Sequence, residues 1–308
     1  MRERKIAFRA LLLAVLLAAG ALLSLPARAE SEDDWDLPPA SLAKRSRQEG
    51  QIDVYDYYSD GDGGHSVLCG VYTPPGYDPQ GCYDVVFLWP GTQNNYRDAL
   101  LHGYPVPMDD GKIHTVLGRP LLDKMIEEGL VRPFVLVCME DFPGTEPVTA
   151  GFDISRMLRL VREKYAVYGA DDSLPPEEVR EHYTLIGYSQ GSIYVEGEGM
   201  VHLYDRFANF AAFSFGSRWN EIPRLLDESP YPLGYFYALV GGKDDHGAEL
   251  GRKSFEIISQ ARSVRVGENA LFRETENYGH GYELMILGLY DFLPRILPPL
   301  ETTTEGNI

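Results

Sequence analysis

Along the chain, short unbroken apolar runs alternate with longer segments whose apolar residues recur every third or fourth position. HSVLCGVYTPPGYD reads as a strand that stops at Pro74-Pro75-Gly76, and YDVVFLWPG as a strand stopped by Pro90-Gly91. Continuous runs of this kind suit strands covered on both faces. The same type returns at Phe134 to Met139, Tyr183 to Gly187, Phe210 to Phe215 and Tyr235 to Val240. Between them, helical spacing marks Leu121 to Glu128, Ile154 to Tyr165, Ile193 to Tyr204, Ala248 to Arg262 and Tyr282 to Ile296. In the second of these, Ile154, Met157, Leu158 and Val161 fall on one helical face. Strands alternating with helices of this length predict parallel strands joined by right-handed crossovers. The expected fold class is α/β, a doubly wound, mostly parallel sheet flanked by helices.

The two ends depart from this pattern. Arg2, Arg4, Lys5 and Arg9 precede a Leu/Ala-rich run from Ala10 to Leu25, and Ala27-Arg28-Ala29 has the small-x-small spacing of a signal-peptidase site. Residues 1–29 therefore read as a cleaved secretory signal, and the protein as exported. The competing reading, an uncleaved anchor, needs a longer run than the one Pro26 closes. Residues 30–50 are charged, contain Pro-Pro and read as a lead-in that lies on the surface or is disordered; residues 301–308 read as a frayed tail. One domain is expected over 51–300.

Charge and cysteine content narrow the partners. The 308 residues carry a net charge of −18, and removing the five basic and one acidic residues of the signal leaves −22. Such a surface offers nothing to a phosphate backbone, so nucleic acid is not an expected partner. Of the three cysteines, Cys69 and Cys82 form the one pairing considered for an exported chain, while Cys138 ends an apolar run and reads as a buried thiol. With no CxxC and no Cys/His cluster, neither zinc nor another cofactor is expected. Asp60-Gly61-Asp62-Gly63-Gly64 lacks the later ligands of a calcium loop and reads as a Gly-rich turn.

The chemistry concentrates at Gly187-Tyr188-Ser189-Gln190-Gly191, directly after an apolar strand and before a helical pattern. Gly-x-Ser-x-Gly in that context is a nucleophile elbow, a turn too tight for side chains at its flanks that leaves the serine hydroxyl exposed above the sheet. A serine hydroxyl is a weak nucleophile until an imidazole takes its proton. Three histidines follow it. His202 lies within the helix pattern, and His246 leaves no place for an acid before it; His280, in a glycine-flanked loop, is the expected base. The loop Gly241 to Asp245 offers two aspartates, one to orient the imidazole and the other to cap the next helix; spacing does not separate them, and Asp244 is preferred over Asp245 as the acid. The oxyanion hole is expected from the N–H of Gln190 and, since Pro90 has none, from Gly91 or Thr92, with Thr92 preferred. Glu196 and Glu198 read as a solvated helix face.

These residues resemble the esterase D and feruloyl esterase group of α/β-hydrolases, which includes acetyl xylan esterases and related secreted carbohydrate esterases. The resemblance spans roughly Ser66 to Leu297. It rests on Val71 to Tyr77 (VYTPPGY), Val85 to Gly91 (VVFLWPG), the elbow, Tyr204 to Phe207 (YDRF) leading to Ser214, Gly241 to Asp244 (GGKD), and Gly279-His280. It implies Ser189 as nucleophile, Asp244 as acid and His280 as base. The group usually has His-Gly where this chain has Pro90-Gly91, and a second glycine after the elbow where this chain has Ser192. The resemblance implies a secreted serine esterase that acts through an acyl-enzyme on small or carbohydrate-linked esters, acetyl or feruloyl groups among them. Two alternatives stand beside it: acyl transfer by the same triad, and a noncatalytic binding protein on a hydrolase-like fold.

Overall fold

The computed structural model describes residues 37–58, 66–92, 94–140, 154–171, 173–276 and 278–299. The expected signal, the expected tail and the Asp60 to Gly64 turn lie outside them. Eight strands form one sheet: β1 Gln51–Tyr58, β2 Ser66–Thr73, β3 Asp84–Trp89, β6 Phe134–Cys138, β7 Tyr183–Tyr188, β8 Asn209–Phe213, β9 Tyr235–Gly241 and β10 Ala270–Thr275. Their spatial order is β1-β2-β6-β3-β7-β8-β9-β10. The pairs β1/β2 and β2/β6 are antiparallel and all others parallel. Every residue of β3 and of β7 is buried, as their unbroken apolar runs predict. β1, which the apolar-run pattern passes over, alternates polar and apolar residues as a half-covered edge strand does.

Helices cover both faces. On one side pack α3 (Ile154–Lys164), the segment α4 that follows Ser189, and α6 (Asp245–Ile258). On the other lie α1 (Tyr96–Leu100), α2 (Gly118–Glu127) and α7 (Tyr282–Ile296). Ile154, Met157, Leu158 and Val161 are all buried against the sheet, as their spacing predicts. α4 is less regular than expected: one turn, Gln190–Tyr194, runs into a π turn, Val195–Gly199, and a last helical turn, Met200–His202. α5 (Ile222–Glu228) and a two-stranded hairpin, β4 (Gly103–Pro107) with β5 (Ile113–Leu117), were not expected; the prolines and glycines of the hairpin hide its period.

Of the two readings of the lead-in, its described part fits the one on the surface, and it is tied down there: Leu42 is buried, Ala40 N–H donates to Asp109 Oδ1 (2.8 Å), Gly50 N–H donates to Asp123 Oδ1 (3.0 Å), and Arg119 pairs with Glu49 (3.0 Å). Charged side chains along this strap find partners on α2, which pattern reading cannot foresee. Cys69 and Cys82 do not pair; both thiols are free, Cys69 buried in β2 and Cys82 exposed before β3. Cys138 is buried, as its place in an apolar run suggests.

At the amino-terminal ends of the central strands, one carboxylate joins three of them. Arg132 donates to Asp84 through Nε (2.7 Å) and Nη2 (3.0 Å), and His182 Nδ1 lies 2.8 Å from Asp84 Oδ1. Burial pushes the Asp84 pKa up, but the hydrogen bonds from His182 and Arg132 outweigh it and hold it below the ordinary carboxylate value. A depressed folded-state pKa adds stability above the unfolded value, and that stability is lost as pH falls through the folded one. Asp84→Asn is therefore expected to cost about 3 kcal/mol at pH 7, the order found for breaking a buried pair. Denaturant melts should show the gap from wild type closing below about pH 4; a gap that persists unchanged at pH 2.5 sinks this account.

Candidate active site

Ser189, Asp244 and His280 come from the carboxyl ends of β7, β9 and β10, three strands of the parallel part of the sheet. Ser189 sits at φ 54°, ψ −120°, a left-handed backbone that side chains rarely adopt. The turn has no slack: a Cβ at Gly187 would lie 2.2 Å from Gly191 O, and one at Gly191 would lie 2.2 Å from Trp89 O. Hydrogen bonds hold the turn closed. Ser189 N–H donates to Phe213 O (2.8 Å) and Ser192 N–H to Ser189 O (2.9 Å). The buried Ser192 hydroxyl reaches both Gly187 O (3.0 Å) and Phe213 O (2.8 Å). Ser192, which stands where the resembling group has glycine, thus ties the elbow to β8.

The side chains meet in order. Ser189 Oγ lies 2.7 Å from His280 Nε2, and His280 Nδ1 lies 2.7 Å from Asp244 Oδ2. A carboxylate only accepts, so the hydrogen of that second contact belongs to Nδ1, and Nε2 is left to accept from the serine. Asp244 also caps α6, its Oδ1 accepting from Gly247 N–H (3.1 Å). The two tasks expected of two aspartates fall to one; Asp245 is the exposed first residue of α6. His246 is exposed, with its ring against Phe215, and His202 is exposed at the end of α4.

The loop after β3 crosses the nucleophile, since a Cβ on Gly91 would lie 3.1 Å from Ser189 Cβ. Thr92 and Gln190 are brought side by side, the Thr92 hydroxyl donating to Gln190 Oε1. Gln190 is the first residue of α4, where a helix leaves its N–H groups without intrahelical acceptors.

An aromatic wall surrounds this centre. Tyr188 (5.7 Å between centroids) and Phe215 (6.2 Å, edge-on) flank His280. Tyr282 packs on Tyr188 at 4.6 Å and stacks on Tyr104 of the β4–β5 hairpin at 4.8 Å. Sequence reading gave none of these four a place beside the base, for aromatic residues in strands and loops carry no signal that separates a pocket wall from ordinary packing. Trp89 is buried against Tyr194, whereas Trp219 is partly exposed beside Gly197. Glu196 corrects the expectation of a solvated face. It is 1% exposed and accepts from the Ser217 N–H, the Ser217 hydroxyl and the Ser254 hydroxyl. Burial pushes its pKa up to about 7 against the pull of those donors.

No family model matches the chain, and no curated protein matches it. Solved structures do. A serine-to-alanine variant of the feruloyl esterase module from Clostridium thermocellum, complexed with sinapinate, is 20% identical over 92% of this chain and 100% of its own, with a TM-score of 0.68. A ferulic acid esterase from Anaeromyces mucronatus is 17% identical over 84% of this chain and 95% of its own, with a TM-score of 0.62. A fluorophosphonate-binding serine hydrolase of Staphylococcus aureus is 11% identical over 80% of this chain and 98% of its own, with a TM-score of 0.55. At these identities the likeness is one of architecture, and with the mostly parallel eight-stranded sheet and its flanking helices it gives this chain the α/β-hydrolase fold.

Proposed function

We propose that this protein is a serine esterase that hydrolyses carboxylic esters through an acyl-enzyme on Ser189. The observation that carries the reading is the unbroken hydrogen-bond chain Ser189–His280–Asp244 on a left-handed serine. In the first half-reaction His280 Nε2 takes the Ser189 proton as Oγ bonds to the ester carbon. The N–H groups of Gln190 and Thr92 meet the charge that develops on the carbonyl oxygen. The tetrahedral intermediate collapses, the alkoxide leaves with the proton from His280, and Asp244 stabilises the imidazolium in between. Water repeats the sequence on the acyl-enzyme and releases the acid.

The acyl group is read as aromatic. Neighbours of this fold are named for ferulic acid or were studied with sinapinate, and a run of rings, Tyr188 on His280, Tyr282 on Tyr188 and Tyr104 on Tyr282, leads away from the base. Flat phenolic acids stack well on such rings. The alcohol is read as carbohydrate and the enzyme as exported, on the leader of residues 1–29. Methyl ferulate and methyl sinapinate should be cleaved with at least tenfold higher kcat/KM than acetyl or long-chain p-nitrophenyl esters corrected for leaving group. Hydrolysis of none of these esters defeats the esterase reading; equal rates on all defeat only the aromatic one.

A further inference from the structure

Resting on the esterase reading, we propose that Glu196 is a positioning residue: it anchors the loop after β8 so that Phe215 holds the His280 imidazole in line with Ser189. Three elements of the site converge on this one buried carboxylate. Glu196 itself belongs to the π turn of α4, the helix that starts at the nucleophile. Ser217 lies in the loop that carries Phe215, and Ser254 (Oγ to Oε2, 2.6 Å) in α6, the helix capped by Asp244. π turns gather at functional sites because they turn one side chain off the regular helical spiral. Here the side chain so displaced reaches inward to meet Ser217 and Ser254.

The loop needs such an anchor. It begins at Ser214, which is fully buried with φ 70°, a strained backbone state that persists only where its surroundings over-determine it. Farther along it lies flush on α6: a Cβ on Gly216 would come within 2.7 Å of Ser254 Cβ and 3.0 Å of Gly251 Cα. Phe215 is held between these two points, and its ring meets His280 edge-on, with Tyr188 the second ring in contact with that imidazole. The His280 side chain is 38% exposed, so its two hydrogen bonds alone leave it room to swing toward solvent. Two flanking rings close that path. Removing the carboxylate strands the Ser217 N–H and both hydroxyls without their acceptor, and the loop, with Phe215, is the element free to relax.

The test measures Glu196→Ala, Glu196→Gln, Phe215→Ala and Glu196→Ala/Phe215→Ala on a cleaved ester, and follows the His280 ring nitrogens by NMR as pH is changed. The anchor predicts that Glu196→Ala lowers kcat at least tenfold with KM within twofold, and moves the His280 titration. Glu196→Gln, whose amide oxygen can accept the same bonds, should recover to within threefold of wild type. Phe215→Ala should lose as much as Glu196→Ala, and the double variant no more than either, as for two residues acting through one contact. Full kcat in Glu196→Ala with an unmoved His280 titration overturns the proposal, as do losses that multiply in the double variant. Should Glu196→Ala fail to fold, Ser217→Ala/Ser254→Ala removes two of the donors and carries the same measurements. A wild type that cleaves no ester defeats the esterase reading instead, and the NMR titration still decides the anchor.

Discussion

Ser189→Ala is expected to lower kcat for ester hydrolysis by about 10⁴ to 10⁶, leaving the residual rate that binding and the N–H groups of Gln190 and Thr92 sustain. The size of the loss follows from the covalent route. Without Oγ there is no acyl-enzyme, and His280 Nε2, 2.7 Å from that oxygen in the wild type, has no nucleophile to activate. KM should stay near its wild-type value, since the pocket walls are untouched. A fluorophosphonate probe should label wild-type protein at Ser189 and leave the variant unlabelled. Hydrolysis that survives the substitution, or a probe that labels another residue, places the reaction elsewhere. A wild type that folds and binds aromatic esters but neither turns over nor takes the label is a binding protein on this fold. Product analysis with an added acceptor alcohol separates hydrolysis from acyl transfer, which shares every step up to the acyl-enzyme.

Asp244→Asn should cost about 10⁴ in kcat at neutral pH, because an amide can donate to Nδ1 and so favour the imidazole tautomer that carries its hydrogen on Nε2, where the serine proton must go. The choice of asparagine makes the experiment sharp. Asp244 also caps α6 through Gly247 N–H, and asparagine caps a helix as well as aspartate does. Thermal stability should therefore stay within about 0.5 kcal/mol of wild type while activity collapses. Asp244→Ala would in addition lose the cap, worth about 1 kcal/mol. Asp245→Asn, at an exposed first helical position, should keep kcat within twofold. A loss shared equally by Asp244→Asn and Asp245→Asn would refute the division of roles.

The arrangement at the centre of this candidate site is legible in the sequence because its requirements are local. Gly187 and Gly191 are needed where the backbone leaves no space, and the runs of β3 and β7 mark strands covered on both faces. The order of serine, aspartate and histidine then follows from which loops end which strands. What was not readable depends on partners distant in the chain. Glu196 looks solvated on a helical wheel, and only a π turn and a loop some twenty residues later bury it. Asp244 and Asp245 differ by one position, and the choice between them is made by where β9 ends and α6 begins. The hairpin that brings Tyr104 to the site shows no clean period, since Gly103, Pro105 and Pro107 interrupt its first strand and each strand is only five residues long.

The strap ahead of β1 bears on where this protein can be cut or fused. Ala40 N–H and Pro38 O both bond to Asp109 at the tip of the β4–β5 hairpin, and Tyr104 on that hairpin stacks on Tyr282 beside His280. The hairpin is thus propped from outside by chain that precedes the first strand. A shortened chain begun at Gln51 would keep its sheet and Ser189 but lose that prop, and on the esterase proposal selectivity among acyl groups should blur before turnover fails. The working edge of the fold lies upstream of its first strand, and a fusion partner joined at residue 51 would stand where the chain that steadies the rings near His280 belongs.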